Sequence, residues 1–323
     1  MSARPTPKVV AFAGGVGGAK LADGLMQCLR KELSVVVNTA DDFEHMGLHI
    51  SPDIDTVTYT LAGLANPETG WGIKGESWNF LDQVKKLGGP GWFALGDRDL
   101  AIHVLRSERL RAGESLTRIT GDIARALGIS ASLLPMSDDP VQTKVKTAEG
   151  LLPFQDYFVG RHCEIAVSGF VFEGIEKARV TMQVRNALDS GALQAVIFCP
   201  SNPYVSLGPI LDLKGMKAQL SETNAPIIAV SPIIGGKAVK GPAARMMQEL
   251  GVEPSAKSVA RIYHGVVDGL VIDEEDKHLA DEISALGMAV HVAPTLMRSR
   301  EDRKALAETC LRFADNLAKR GIK

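Results

Sequence analysis

This 323-residue sequence has no long apolar run and no basic block, and it is poor in cysteine and aromatic residues. No stretch approaches the roughly 18 consecutive apolar residues that a membrane span needs, so no membrane association is expected. Lys and Arg total 36 against 38 Asp and Glu, a net charge of −2. Without a strongly basic face the chain lacks the footprint of a phosphate-backbone binder, so nucleic acid is not an expected partner. The four cysteines, Cys28, Cys163, Cys199 and Cys310, are far apart and show no metal-type or redox-type spacing; they read as reduced thiols in apolar sites. Residues 1–8 are polar and contain no signal-peptide core, so a cytoplasmic location is expected. Internal repeats and low-complexity tracts are also missing.

What is present is an ordinary globular composition, 45% hydrophobic and 23% charged, with enough length for one large α/β domain carrying a sizeable insertion. Residues 8–13 form a short apolar run ending in a glycine cluster, after which Leu21, Leu25 and Leu29 recur at helical spacing. The β-branched run 34–37 follows one crossover later, which makes a parallel βαβ unit. The same grammar returns with strand-like runs at 194–198, 226–230, 269–272 and 289–292. Helices are expected between them at 242–250 and 277–286, and a last helix at about 300–319. In the middle of the chain, 55–64, 77–87, 99–110 and 115–127 read as consecutive helices, and 141–146 and 164–171 as strands. The expectation is an α/β fold with a parallel sheet flanked by helices, one domain over 1–323. An inserted helical and β region at about 55–190 would cap the sheet's ligand edge.

The run Gly14-Gly15-Val16-Gly17-Gly18-Ala19-Lys20 stands at the mouth of the first helix. Glycines permit positive φ and close backbone approach, and a helix N-terminus favours an anion, so the turn reads as a phosphate cradle. It matches neither G-x-G-x-x-G nor the Walker pattern, because Lys20 follows Ala19 and no Ser or Thr comes next. The alternative is a turn that only lets helix and strand pack closely.

After the second strand come Asn38-Thr39-Ala40-Asp41-Asp42 and then Ser51-Pro52-Asp53-Ile54-Asp55-Thr56. Hard cations such as Mg²⁺ take oxygen ligands and share them with substrate phosphates, so Asp41, Asp42, Asp53 and Asp55 are candidate metal ligands. Asp53 or Asp55 serves equally well as a helix N-cap. Two later loops at strand ends, with Ser201, Asn202, Ser206 and Gly208 in one and Ser231 and Gly235 in the other, offer hydroxyls and open backbone to a nucleotide; turn chemistry alone also explains them. Arg98, in Leu95-Gly96-Asp97-Arg98-Asp99, presents a planar fork for an anionic or carbonyl group, or else joins a surface ion-pair cluster. Met136-Ser137-Asp138-Asp139-Pro140 is an acidic turn. His45, His162, His264, His278 and His291 are isolated from one another and receive no role.

Taken in order, these segments resemble the 2-phospho-L-lactate transferase family of coenzyme F420 biosynthesis, over about residues 8 to 300. The resemblance implies a Rossmann-like, dimeric enzyme. Its donor would be a guanylylated three-carbon acid, a guanosine diphosphate-linked phospholactate, phosphoenolpyruvate or phosphoglycerate. The phosphoryl-acid portion would pass to the ribityl hydroxyl of the deazaflavin Fo, releasing GMP. It places Asp55 and Arg98 at the acceptor and Asp41, Asp42, Asp53 and Asp55 near Mg²⁺, with Asp55 and Asp53 as catalytic candidates and Asp55 as the general base. The nucleotide would lie against Gly14, Gly15, Gly17, Gly18 and Lys20 and against the Ser201–Gly208 and Ser231–Gly235 loops. A related family of nucleotide-sugar-binding regulators shares the turn and the acidic pair but resembles a Gly-Gly-Ser-Ser-Gly continuation, where this chain has Phe43-Glu44-His45-Met46-Gly47. A nicotinamide-dependent oxidoreductase lacks support in the glycine spacing.

Overall fold

Phe12 and Phe198 stack with ring centroids 5.1 Å apart, on the two neighbouring strands at the middle of a seven-stranded sheet. The structure, a computed structural model, describes residues 7–322; residues 1–6 of the polar opening and Lys323 lie outside the described residues. From edge to edge the strands are Ala289–Val292, Gly269–Ile272, Ile227–Val230, Ala195–Phe198, Val9–Ala13, Leu33–Val37 and Ser132–Pro135, and every neighbouring pair is parallel. Such a sheet is covered on both faces, which is why its strands read as continuous apolar runs. Val9, Ala11 and Ala13 face a layer containing Leu21, Leu25 and Leu317. Val10 and Phe12 face the other layer, with Ile210 and Tyr263.

Chain order reverses between Val9–Ala13 and Ala195–Phe198: connections from the first run one way and from the second the other. The crevice at the carboxyl ends of those two strands is where doubly wound sheets hold ligands. Beside it the first helix, Gly15–Leu29, packs on the last, Arg300–Lys319. The crossing is close enough that a Cβ on Gly24 would lie 2.0 Å from the Arg303 carbonyl oxygen. Arg300 and Arg303 both donate to the buried Asp23 carboxylate at 3.1 Å.

Four helices of the insertion appear as expected, Pro52–Leu61, Asn79–Lys86, Asp97–Arg111 and Leu116–Ala126. The strands Gln142–Thr147 and Val167–Glu173 join Gly150–Pro153 in a small antiparallel sheet. Two differences are instructive. Ser132–Pro135, not expected as a strand, is the seventh strand of the main sheet; four residues ending in proline carry no period that separates a strand from a helix end. The helix expected over 277–286 is a 3₁₀ segment, Glu274–Leu279, running into the short helix Ala280–Ser284. In that segment the buried Asp276 carboxylate accepts the distant Gly235 N–H at 3.2 Å, a tertiary bond that local periodicity does not report. Among the described residues no helix is long and apolar enough to cross a membrane.

Candidate active site

The glycine turn does two jobs. Gly14, with extended backbone, precedes the helix and donates its N–H to Ser201 Oγ at 3.1 Å. Gly15, at φ +60, donates to Asp53 Oδ1 at 2.7 Å. One anion of the protein itself thus already sits at the helix N-terminus, and Val16 and Gly17, whose N–H groups fall in the first helical turn and so lack an intrahelical partner, line the cavity. Gly17 and Gly18 also serve packing. A Cβ on Gly17 would meet the Pro200 carbonyl oxygen at 2.3 Å, and one on Gly18 would meet Ser201 Oγ at 2.4 Å. These two glycines let the loop after the strand Ala195–Phe198 lie directly on the helix.

The helix Pro52–Leu61 has Ser51 as its N-cap and Pro52 at its start. Asp53 and Asp55 therefore both fall in the first turn, where the helix dipole favours carboxylates, and neither is the cap. Asn38, wholly buried at the end of the second strand, donates to Asp53 Oδ2 at 3.0 Å and to the Val205 carbonyl at 3.3 Å, while its own Oδ1 accepts the Ala40 N–H. Asp53 is thereby fixed between Gly15 and Asn38. Burial pushes its carboxyl up to about 6, against the opposing pull of those two donors. Asp41 is held well above the usual carboxylate range by burial and then by the neighbouring Asp53 charge, and its buried Oδ1 has no hydrogen-bond partner. Asp42 accepts from Ser51 Oγ at 2.7 Å and lies 3.1 Å from His49 Nε2; burial raises its carboxyl too.

A buried polar network that periodicity did not reveal stands behind Asp55. Arg106 donates to both Asp55 oxygens, to Oδ2 at 3.1 Å. His103 Nδ1 lies 3.7 Å from Asp55 Oδ2, and its Nε2 lies 3.1 Å from Asp99 Oδ1, which also accepts the Tyr59 hydroxyl. Asp99, His103 and Arg106 recur at spacings of four and three, one face of the helix Asp97–Arg111. Polar residues at core spacing were the available signal.

Together these elements enclose a cavity of about 760 Å³ between the sheet's carboxyl edge and the insertion. Gly14, Gly15, Gly17 and Lys20 line it, with Ser201, Asn202, Ser206 and Ser231, and so do Asp41, Asp53 and Asp55. Aromatic side chains, Trp71, Trp92, Phe93, Phe154 and Phe158, are also part of the lining. Five expected site residues lie off this wall. Gly18 is packed as described, and Asp42 is turned to Ser51 and His49. Gly208 rests on Phe172, and Gly235 forms a turn at φ +53. Arg98 is exposed, its guanidinium donating to the Lys74 carbonyl at 3.0 Å. Among the described residues no three His, Cys, Asp or Glu side chains are already gathered as a metal cluster.

The family model described as "2-phospho-L-lactate transferase CofD" matches residues 9–308. A "2-phospho-L-lactate transferase" of Methanosarcina mazei is 41% identical over 303 residues, covering 93% of this chain and 98% of that protein. A "Phosphoenolpyruvate transferase" of Kitasatospora aureofaciens is 37% identical over 318 residues, covering 96% and 98%. Among solved structures, a UPF0052 family protein from Bacillus halodurans aligns with a TM-score of 0.61 at 14% identity, covering 95% of this chain and 99% of that one; at that identity the likeness is one of fold.

Proposed function

The chain belongs to the 2-phospho-L-lactate transferase family, and from this we propose that it moves a phospho-three-carbon-acid group from a guanosine diphosphate-linked donor to the ribityl hydroxyl of the deazaflavin Fo, releasing GMP. The family works toward coenzyme F420, and family membership favours a transferase over the nucleotide-sugar-binding regulator. The observation that carries the proposal is the mixed lining of one cavity: a helix N-terminus and a lysine, carboxylates and aromatic side chains. A diphosphate suits the helix N-terminus and lysine, and a planar ring system suits the aromatic side chains.

In the transfer a ribityl oxygen bonds to the phosphorus carrying the three-carbon acid, the bridging P–O bond breaks with its electrons leaving on GMP, and the hydroxyl proton is lost. Such reactions need chiefly in-line placement and neutralisation of phosphoryl charge. In this proposal the Val16 and Gly17 N–H groups and Lys20 hold the diphosphate, with Ser201, Asn202, Ser206 and Ser231 along the nucleotide. Asp55, held in one orientation by Arg106, receives the hydroxyl's hydrogen bond and is the first destination of its proton. Arg98 contributes from the exposed rim.

The acidic residues fit a Mg²⁺ ion. A buried carboxylate oxygen without a donor, as at Asp41, is satisfied by a cation. Mg²⁺ takes one or two carboxylates, water and substrate phosphate oxygens, so no gathered cluster is needed. Asp41 and Asp53 would hold it from the wall, with Asp55 on the same wall and Asp42 behind. Bound there, it would neutralise charge on the diphosphate. A homodimer in the cytoplasm completes the proposal.

The test is incubation with Fo, Mg²⁺ and, separately, guanylylated phospholactate, phosphoenolpyruvate and phosphoglycerate, followed by mass spectrometry for the deazaflavin product and GMP. Product with one donor is expected; none with any donor refutes the function.

A further inference from the structure

Lys240 stands where three segments meet at the cavity's rim. Its Nζ donates to the Thr69 carbonyl at 2.8 Å. Thr69 belongs to a strap of the insertion whose base is closed by the bridge between Ala65 and Ile73 and by Asn66 N–H bonding to the Gly72 carbonyl at 3.0 Å. Gly70 of that strap, at φ +80, lies so close that a Cβ would meet Lys240 Nζ at 2.6 Å and Val16 Cγ1 of the glycine turn at 3.2 Å. The strap therefore crosses directly over the helix N-terminus, and Trp71, the next residue, is 48% exposed and lines the cavity.

Lys240 and Lys20 both line this cavity, and among the described residues neither is paired with a carboxylate. Each donates instead to a backbone carbonyl, Lys20 to that of Met297 at 3.0 Å. Burial and then the Arg303 and Lys240 charges lower the Lys20 pKa, so the surroundings of Lys20 are cationic. An ammonium has three donors and a carbonyl uses one, so Lys240 keeps two for an anion while still holding the strap.

We propose that Lys240 is both a diphosphate-binding residue and the tie between donor and acceptor binding: with an anion bound, it fixes the 65–73 strap and seats Trp71 over the acceptor. This rests on the donor reading given above. Donor binding then raises acceptor affinity, and by linkage the acceptor raises donor affinity equally.

The experiment uses the full chain, its K240M variant, which keeps the side-chain length and loses the charge, and its G70A variant, which keeps the ammonium and wedges the strap away. GDP and, separately, inorganic pyrophosphate are titrated by calorimetry with Mg²⁺ present. Fo is titrated by its fluorescence with and without saturating GDP. K240M should bind GDP and pyrophosphate about tenfold or more weakly, a charge-assisted bond being lost. GDP should tighten Fo binding roughly fivefold or more in the parent chain, and neither variant should show that gain, although G70A should still bind GDP. GDP binding by K240M within twofold of the parent, or Fo affinity in the parent indifferent to GDP, overturns the inference. A parent chain that binds pyrophosphate but not GDP sinks the guanosine donor reading alone, and the pyrophosphate ratio between parent and K240M then decides the role of Lys240.

Discussion

Arg106 grips both oxygens of Asp55 across 51 residues of chain, with the arginine side chain 1% and the aspartate 8% exposed. A buried charge left without its partner is costly, whereas the intact pair is near break-even. Arg106→Ala should therefore cost about 3–5 kcal/mol in urea unfolding. Arg106→Lys should fold yet raise the acceptor KM more than it changes the donor KM, because a single ammonium does not reproduce the two-pronged hold on Asp55. A loss below ~1 kcal/mol for the alanine variant would mean that solvent reaches the pair.

Gly17 and Gly121 should respond oppositely to alanine. Gly17→Ala sets a methyl against the Pro200 carbonyl, an overpacking that should cost about 1–3 kcal/mol and weaken donor binding by displacing the 200–208 loop. Gly121 lies within the helix Leu116–Ala126, and a Cβ there meets nothing within 4 Å, so Gly121→Ala should gain about 0.5–1 kcal/mol. Thermal unfolding of the two variants side by side checks the contrast.

Chelation should abolish turnover, and added Mg²⁺ should restore it. Asp41→Asn should need roughly tenfold more Mg²⁺ or above for half-maximal rate, while also relieving a buried carboxylate repelled by Asp53. The variant should thus melt no lower than the parent while working worse. Equal Mg²⁺ dependence in the two proteins would remove Asp41 from the metal site.

Asp97 accepts from Ser77 Oγ at 2.6 Å and from the Phe80 N–H at 2.9 Å, and hydrogen bonds from Ser77, Phe80 and Asn79 lower its carboxyl from 3.8 to about 2. A depressed folded-state value means that its contribution is fully present above about 4 and is lost as pH falls toward about 2. The Tm difference between the parent and Asp97→Asn should be constant from pH 7 to 5 and shrink below pH 4; a difference that grows on acidification would contradict the assignment.

Local chemistry was legible in the sequence. Apolar runs ending in glycine, the serine and asparagine loops at strand ends and the acidic run after the second strand each announce themselves within a few residues, because strand ends and helix starts are made by nearest neighbours. The structure brings Gly14, Lys20, Asp41, Asp53, Asp55 and Ser201 to one cavity, as strand order in a parallel sheet requires. Ser132–Pro135 was too short to show a period, and the direction of the Arg98 side chain depends on the Lys74 carbonyl, which no pattern in its own helix encodes.

The sequence by itself determined the elements around the first strand and the strand-end loops, and hence that a glycine turn, an acidic helix start and two polar loops share the carboxyl edge of one sheet. Only tertiary structure decided their partners. Arg106 was chosen for Asp55, Asn38 for Asp53, the Pro200 carbonyl for Gly17, and Thr69 for Lys240 across 171 residues. Periodicity records which way a side chain faces, because burial alone sets that; which group it meets there is fixed by how separate elements pack, and that information is not local to any of them.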